Sequence, residues 1–296
     1  MGKMIEIICN PSSGKQKLQE NIKELKHLLS EDGHQVEIIY TEKKGHGEIL
    51  SEKSALKNVD LLIAVGGDGT LNEVVNGLMK NDRRPTLAIY PTGTVNDYGT
   101  YLQIPRRVKE FYEMINRGRT VMTDVGKAND RYFINVAAGG TITEVAHNVS
   151  CETKTLLGKT AYFLEGAREV PRQIFKAVEL TYKVEEEENT CEALFFLVAN
   201  TKYVGGFRHL MKRAEINDGK MDLLIVEKMP AGEFLNLFVR ALGGYHLGHP
   251  KIIYKKVRGV EIKGNPEMEI DIDGEYLGKT PVKIDIFPQS IKVVIP

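Results

Sequence analysis

Eight consecutive residues, Gly66-Gly67-Asp68-Gly69-Thr70-Leu71-Asn72-Glu73, carry the strongest chemical signal in this chain. Three glycines in four positions let the backbone turn sharply and come close to a ligand. A strand-like run, Leu61–Val65, stops directly before them, and a helical pattern follows. Successive N–H groups at a helix N-terminus would then face outward, which favours a phosphate. Asp68 would repel that phosphate unless a cation lay between them, so it implies Mg²⁺ or a hydrogen-bonding role. The same residues also suit a tight strand-to-helix turn with Asp68 or Thr70 as N-cap.

Two more polar loops follow strand-like runs. Asn10-Pro11-Ser12-Ser13-Gly14-Lys15 resembles a P-loop only in part, since that motif needs Gly at position 9 and Ser or Thr at 16, where Cys9 and Gln16 stand. It can still cradle a nucleotide with small polar groups, or be an ordinary turn. Pro91-Thr92-Gly93-Thr94-Val95-Asn96-Asp97 combines turn formers with short hydrogen-bonding side chains. Three such loops at the ends of strands outweigh a reading of each as plain turn chemistry.

Later in the chain, Asp218-Gly219 precedes the strand-like run Met221–Val226, with Glu215 three residues earlier, and Asp271-Ile272-Asp273-Gly274-Glu275 ends another. Asp-Gly is a favoured hairpin dipeptide, so each could be a simple β-turn. Phosphoryl transfer to a hydroxyl, however, needs a carboxylate near the acceptor and a metal to neutralise phosphates. The chain offers candidates for every part. His246 and His249 have no third ligand nearby in sequence and read as loop residues. Phe234, Leu237, Phe238 and Leu242 recur at helical spacing and read first as core.

The elements that must position these loops are legible in the periodicity. Ile5–Cys9, Val36–Tyr40, Asp60–Val65 and Thr86–Tyr90 read as strands, and Leu18–Leu29, Gly47–Leu56 and Leu71–Met79 as helices. Alternation at this pitch predicts parallel βαβ units, hence an open α/β sheet with helices on both faces and ligands beyond the carboxyl ends of its strands. From about residue 126 the segments become short and strand-like: Tyr132–Ala137, Ala177–Val184, Ala193–Val198, Met221–Val226, Gly259–Ile262, Glu269–Ile272 and Val282–Phe287. Helical patches interrupt them near Thr155–Arg168 and Ala231–Leu242. The predicted fold is α/β plus β: residues 1–125 form an open parallel α/β nucleotide-binding domain, and 126–296 a mainly antiparallel, β-sandwich-like domain. The final strand, Ile291–Ile295, could return to either, and Glu185–Glu188 reads as a hairpin tip.

Composition narrows the function classes. Forty basic residues balance forty acidic ones, so no global field favours nucleic acid. Cys9, Cys151 and Cys191 show no metal-type spacing and suit a reducing cytosol; Cys9 reads as a small buried hydrophobe. The apolar stretch Met4–Cys9 is too short for a signal-peptide core, and no segment approaches the roughly 20 apolar residues of a spanning helix. The expectation is a cytoplasmic protein that meets any lipid from the membrane surface.

The Gly-Gly-Asp-Gly-Thr-Leu-Asn-Glu loop, the Pro-Thr-Gly-Thr-Val-Asn-Asp loop and the late Asp-Gly-Glu, in this order, resemble the diacylglycerol kinase catalytic-domain family, most closely the soluble lipid kinases of Gram-positive bacteria. The likeness covers essentially the whole chain. Gly-Gly-Asp-Gly-Thr alone is shared with NAD kinases and resembles the phosphofructokinase loop. The resemblance implies an ATP-dependent lipid kinase in which Asn10–Gly14 (with Pro11, Ser12 and Ser13), Thr41, Gly66, Gly67–Glu73, Thr94 and Asp273 surround ATP. It implies Glu275 as general base, Asp68 as the group orienting phosphates and metal, and Asp97 and Asp124 as acids linking nucleotide, metal water and cleft. Asp218 matches a structural Mg²⁺ loop completed by the backbone carbonyls of Glu215 and Lys220. A homodimer and peripheral membrane contact are implied as well. The family often continues Asn-Asp-Phe-Ala-Arg, whereas Tyr98, Gly99 and Thr100 follow Asp97 here, so a contact from that arginine is missing.

Other acceptors fit the same motifs: a sphingoid base, a polyprenol, phosphatidylglycerol or NAD. A non-catalytic nucleotide or lipid sensor is a different class, disfavoured by the presence of Glu275, Asp68 and Asp218 together.

Overall fold

The computed structural model describes residues 2–13, 16–140 and 176–296. Gly14, Lys15, Cys151 and the helical patch Thr155–Arg168, which includes Leu156–Phe163, lie outside the described residues.

The first four strands are β1 (Met4–Cys9), β2 (Gln35–Tyr40), β3 (Leu61–Gly66) and β4 (Thr86–Pro91). Apolar runs buried on both faces make β1, β3 and β4, whereas β2, at the sheet edge, is only half-buried to exposed. They pair in parallel in the order β2-β1-β3-β4. Near-continuous burial is what a parallel sheet covered on both sides demands. On one face α1 (Gln16–Glu31) and α5 (Val108–Arg117) bury Leu18, Ile22, Leu25, Leu29, Phe111 and Met114. On the other, α2 (His46–Leu56) and α3 (Asp68–Leu78) bury Leu50, Leu71, Val74, Val75 and Leu78. Because β1 connects outward to β2 while β3 lies on its other side, the strand order reverses between β1 and β3. Crevices at such a reversal, beyond the strands' carboxyl ends, are where α/β sheets bind ligands.

The short helix α4 (Asp97–Tyr101) follows β4. The remaining strands are β5 (Thr120–Ala128), β6 (Arg131–Phe133), β7 (Val136–Gly140), β8 (Val178–Val184), β9 (Glu187–Ala199), β10 (Met221–Glu227), β11 (Ile252–Val257), β12 (Gly259–Asn265), β13 (Glu269–Ile272), β14 (Glu275–Lys279) and β15 (Val282–Val294), with α6 (Ala231–Leu242) after β10. Pairing among them is antiparallel. β9 pairs with β8 through its first half and with β7 and β10 through its second, and two apolar clusters fill the layers on either side. The fold is thus a parallel α/β half followed by an antiparallel, sandwich-like half.

Several boundaries differ from the sequence reading. The helix expected from Leu71 starts at Asp68 and is capped by Gly67 without a side-chain bond, so neither Asp68 nor Thr70 is the N-cap. Val282–Phe287 and the final strand are one element, β15, interrupted by a bulge between Phe287 and Ile291. Its end pairs in parallel with β4 at Val293↔Leu87, while its body pairs with β5 and β12. β15 therefore spans both halves of the sheet, and β5 runs unbroken through residue 125. The segment Tyr132–Ala137 is two strands, and α5, β11 and β14 were not anticipated. Glu185 and Glu186 do form a hairpin tip, with Glu185 at φ 55.

Candidate active site

The carboxyl ends of β1, β3 and β4 bring the three polar loops together. After β1, Asn10 donates its backbone N–H to Val65 O at 3.0 Å and its side-chain amide to Thr70 Oγ1 at 3.1 Å. Pro11 and Ser12 continue in an exposed 3-10 turn, Pro11–Ser13, closed by Ser12 N–H on Asn10 Oδ1 at 3.0 Å. After β3 and β4 the chains approach backbone to backbone. A Cβ on Gly93 would lie 2.7 Å from Gly67 Cα, a distance no side chain survives, so glycine is required there. Thr94 sits exposed at the tip of its loop, and Thr41 is buried with its N–H on Cys9 O at 2.9 Å.

Asp68 occupies the first turn of α3, where Asn96 N–H donates to its Oδ2 at 2.8 Å. Asn96 can do so because it adopts φ 51, a left-handed conformation that Asn tolerates. Burial pushes the Asp68 carboxyl up to about 6, with the charges of Asp97 and Asp273 adding to the rise and the N–H groups of Asn96 and Asp97 opposing it. Asp97 accepts Gly206 N–H at 3.1 Å from the second half of the chain. Convergent carboxylates of this kind suit a phosphate-bearing ligand that brings its own Mg²⁺.

Asp273-Gly274 is a two-residue hairpin turn, with both residues at positive φ (50 and 85), joining β13 to β14. The simple-turn reading holds, and the turn delivers Glu275 to the mouth of the crevice. A Cβ built on Gly69 would lie 3.2 Å from Glu275 Oε1. That places a carboxylate of the antiparallel half against the glycine-rich helix start of the parallel half.

Not every residue expected around ATP faces the crevice. Leu71 is core. Asn72, also buried, donates to Tyr132 O at 3.0 Å and to Asp273 Oδ2 at 2.9 Å. Asp273 further accepts the N–H groups of Ile134, Asn135 and Val136 at 2.9, 3.0 and 2.9 Å. Its oxygens are spent on fastening α3 to the β6–β7 segment, which leaves none for a nucleotide. Glu73 accepts the N–H groups of Gly45 and Gly47 at 2.7 and 2.9 Å. Asn72, Asp273 and Glu73 build the site from behind. Asp124 is likewise a brace: it is buried and accepts Gly219 N–H and Gln289 N–H, both at 2.7 Å. Burial raises its carboxyl, those N–H groups lower it, and the Asp218 charge raises it.

Asp124 thereby joins the Asp218 loop rather than the Asp68–Glu275 group. Asp218 Oδ1 accepts Lys220 N–H at 3.0 Å, and its other oxygen is ion-paired with the Lys256 ammonium. Asp222, buried in β10 and opposite Lys256 in the ladder, has no well-formed hydrogen bond on either oxygen. Burial raises its carboxyl, partly offset by the Tyr254 hydroxyl and Lys256. Three acids (Glu215, Asp218, Asp222) thus act on one ammonium, that of Lys256, and this excess of negative charge fits a hard cation. No group of three or more His, Cys, Asp or Glu side chains converges on a metal-sized position among the described residues, so such a cation would lean on backbone carbonyls and compete with Lys256.

Sequence reasoning missed Asn76, Lys44 and Gly206. Asn76 donates to Tyr132 O at 2.8 Å and accepts Tyr132 N–H at 2.9 Å. Its signal was available: Asn72 and Asn76 lie one turn apart in an apolar helix, where Asn is a poor former. Lys44 lies in the polar, glycine-bearing turn Thr41–Gly47 after β2, which marks the loop but not the residue, and Gly206 had no local signal.

A switch-point crevice of this kind, faced by Glu275 from the second half of the chain, is where α/β sheets bind ligands. The chain matches the family model described as "Diacylglycerol kinase catalytic domain" over residues 4–128, and that described as "YegS C-terminal NAD kinase beta sandwich-like domain" over residues 135–295. It is 37% identical to the diacylglycerol kinase of Staphylococcus haemolyticus over 296 residues, covering 100% of this chain and 89% of the relative. To the Staphylococcus saprophyticus diacylglycerol kinase it is 38% identical, covering 100% and 96%. A crystal structure of a Bacillus anthracis protein assigned as a diacylglycerol kinase superposes with TM-score 0.85 at 28% identity, covering 99% of this chain and 97% of that one. The chain belongs to the diacylglycerol kinase family and is a kinase.

Proposed function

We propose that this protein transfers the γ-phosphoryl group of ATP to the hydroxyl of diacylglycerol or a closely related lipid. The observation that carries this reading is the approach of Glu275 to the N-terminus of α3, which sets a proton acceptor against a phosphate seat. ATP lies in the crevice between the Asn10–Ser12 turn, Thr41 and Gly66–Thr70, with Thr94 at its rim and its phosphates on the N–H groups that open α3. Asp68 and Asp97 orient the phosphates. Mg²⁺, when bound, supplies positive charge that neutralises the phosphate oxygens, held near Asp68 and, structurally, by Asp218 with the carbonyls of Glu215 and Lys220.

As the lipid oxygen forms its bond to Pγ, its proton passes to Glu275. The bond from Pγ to the β,γ-bridging oxygen breaks, ADP carries away that electron pair, and the phosphorylated lipid departs. The nucleotide is held by residues 1–125 and the base is supplied by 126–296, with β15 bridging both.

The lipid is met at a membrane surface. Among the described residues no helix is long and apolar enough to cross a membrane. On α6, Phe234 and Phe238 turn inward against Phe195 and Phe207, and Leu237 is buried, while Leu235, Val239 and Leu242 are exposed. Leu242, which the periodicity grouped with the core, thus belongs with Leu235 and Val239 to the outward stripe, the apolar surface that supports docking. Phe207 follows Gly206, the partner of Asp97, so α6 stands one loop from the crevice.

Labelled ATP offered with a panel of lipids in mixed micelles, and with NAD as a soluble control, tests the reading. Label entering diacylglycerol is expected; label entering NAD alone, or no acceptor at all, overturns it.

A further inference from the structure

The loop between β2 and α2 is built to present one lysine. Gly45 adopts φ 81 ahead of α2, and Glu42 N–H donates to His46 Nδ1 at 3.1 Å. The N–H groups of Gly45 and Gly47 both donate to Glu73. A Cβ on Gly47 would lie 2.8 Å from Glu73 Oε2 and 3.2 Å from its Cβ, so any larger residue there would have to displace that carboxylate. Glu73 lies on α3, the helix whose first turn holds Asp68. The loop is therefore fastened to the element that carries the phosphate seat.

From this loop Lys44 extends its ammonium onto the carboxylate of Glu275. The Lys44 side chain is 79% exposed, and an exposed ion pair adds little to stability. Folding alone gives no reason to hold the pair there. An ammonium has three donors, enough to serve a carboxylate and a phosphate together. Lys44 stays protonated, since the hydrogen bond to Glu275 and its charge raise the lysine above its ordinary value, with Glu73 adding to them against a small opposing cost of burial.

We propose that Lys44 positions Glu275 over the start of α3 and, when ATP is seated, shares its ammonium with the γ-phosphate. The inference rests on the reading of the crevice as an ATP site with Glu275 as base, and it adds a specific γ-phosphate contact from outside the glycine-rich loop. Lysine serves as a point charge for phosphate, and here the point charge would move with the transferred group.

Binding measurements on the full chain test it. Lys44→Met is expected to weaken a non-hydrolysable ATP analogue roughly 10-fold, the size of one charge-assisted hydrogen bond, while ADP affinity changes by less than about twofold. Lys44→Arg should recover most of the analogue affinity. In turnover, Lys44→Met should raise KM for ATP and lower kcat, because both the phosphate contact and the pose of the base are lost. Equal loss for ADP and the analogue, or no loss for either, overturns the proposal. Glu275→Gln, measured alongside, separates the two ideas. Normal turnover in that variant removes the base assignment and with it the positioning role of Lys44. Lost turnover there, with Lys44→Met indistinguishable from wild type, removes Lys44 alone.

Discussion

The side-chain amide of Asn72 donates to Asp273 at 2.9 Å across 201 residues of sequence. Because Asp273 also begins the turn that delivers Glu275, this bond, together with the N–H groups of Ile134, Asn135 and Val136, ties the start of the Glu275 hairpin to α3. Asp273→Asn would replace one acceptor oxygen with a donor facing backbone N–H groups. We expect a cost of about 1–3 kcal/mol in stability, typical of an unsatisfied buried group, and a larger fall in kcat than in ATP affinity. Denaturant unfolding and steady-state kinetics on the same variant check both.

Glu275→Gln should keep ATP binding and lower turnover by roughly 10²–10⁴-fold, the usual span for a positioned proton acceptor. Single-turnover assays with labelled ATP give the number directly. Near-normal kcat would shift the base role to Asp97.

Asp68 carries a testable pH signature. Its folded value of about 6 lies above the ordinary aspartate value of 3.8, so between these values the folded chain binds more protons than the unfolded one. From this group alone, stability falls as pH rises from about 4 to about 6, and the destabilisation persists above that window. Asp68→Asn should therefore stabilise the ligand-free protein at pH 7.5 by about 1–3 kcal/mol, read as a higher melting temperature, with the gain fading by about pH 4. The same change should lower kinase activity. A gain of equal size at both pH values would show that charge is not its cause.

Asp218→Ala removes the one carboxylate of the expected Mg²⁺ loop and frees Lys256. We expect a higher Mg²⁺ requirement for activity and a smaller rise in melting temperature on adding Mg²⁺, with ADP affinity little changed. An unchanged Mg²⁺ titration and melting temperature would reduce Asp218-Gly219 to a hairpin turn braced by Lys256.

Docking through α6 should be apolar in character. Leu235→Ser with Val239→Ser should weaken co-sedimentation with lipid vesicles roughly 10-fold, while turnover on a short-chain, water-dispersed acceptor is kept. Wild-type binding should survive high salt, where the Debye length falls to about 3 Å near 1 M. Collapse at moderate salt would assign docking to a basic surface instead.

The sequence by itself determined the features that depend on neighbours along the chain. Alternating strand and helix periods predicted the parallel sheet. The glycine spacing at Gly66–Gly69 announced a close-approach turn. Asp273-Gly274 announced a hairpin, because its two positive φ values are a local demand. What only the tertiary structure decided is which side chains meet. Asp124 and Asp273 look like the other acids in sequence, yet their oxygens are consumed by backbone N–H groups, whereas Glu275 is left at the mouth of the crevice. The pairing of Lys44 with Glu275, the seat of Gly206 on Asp97 and the crossing of β15 between both halves join residues far apart in the chain. Periodicity encodes which face of an element is buried; it does not encode the partner, which is set by how the layers close on one another.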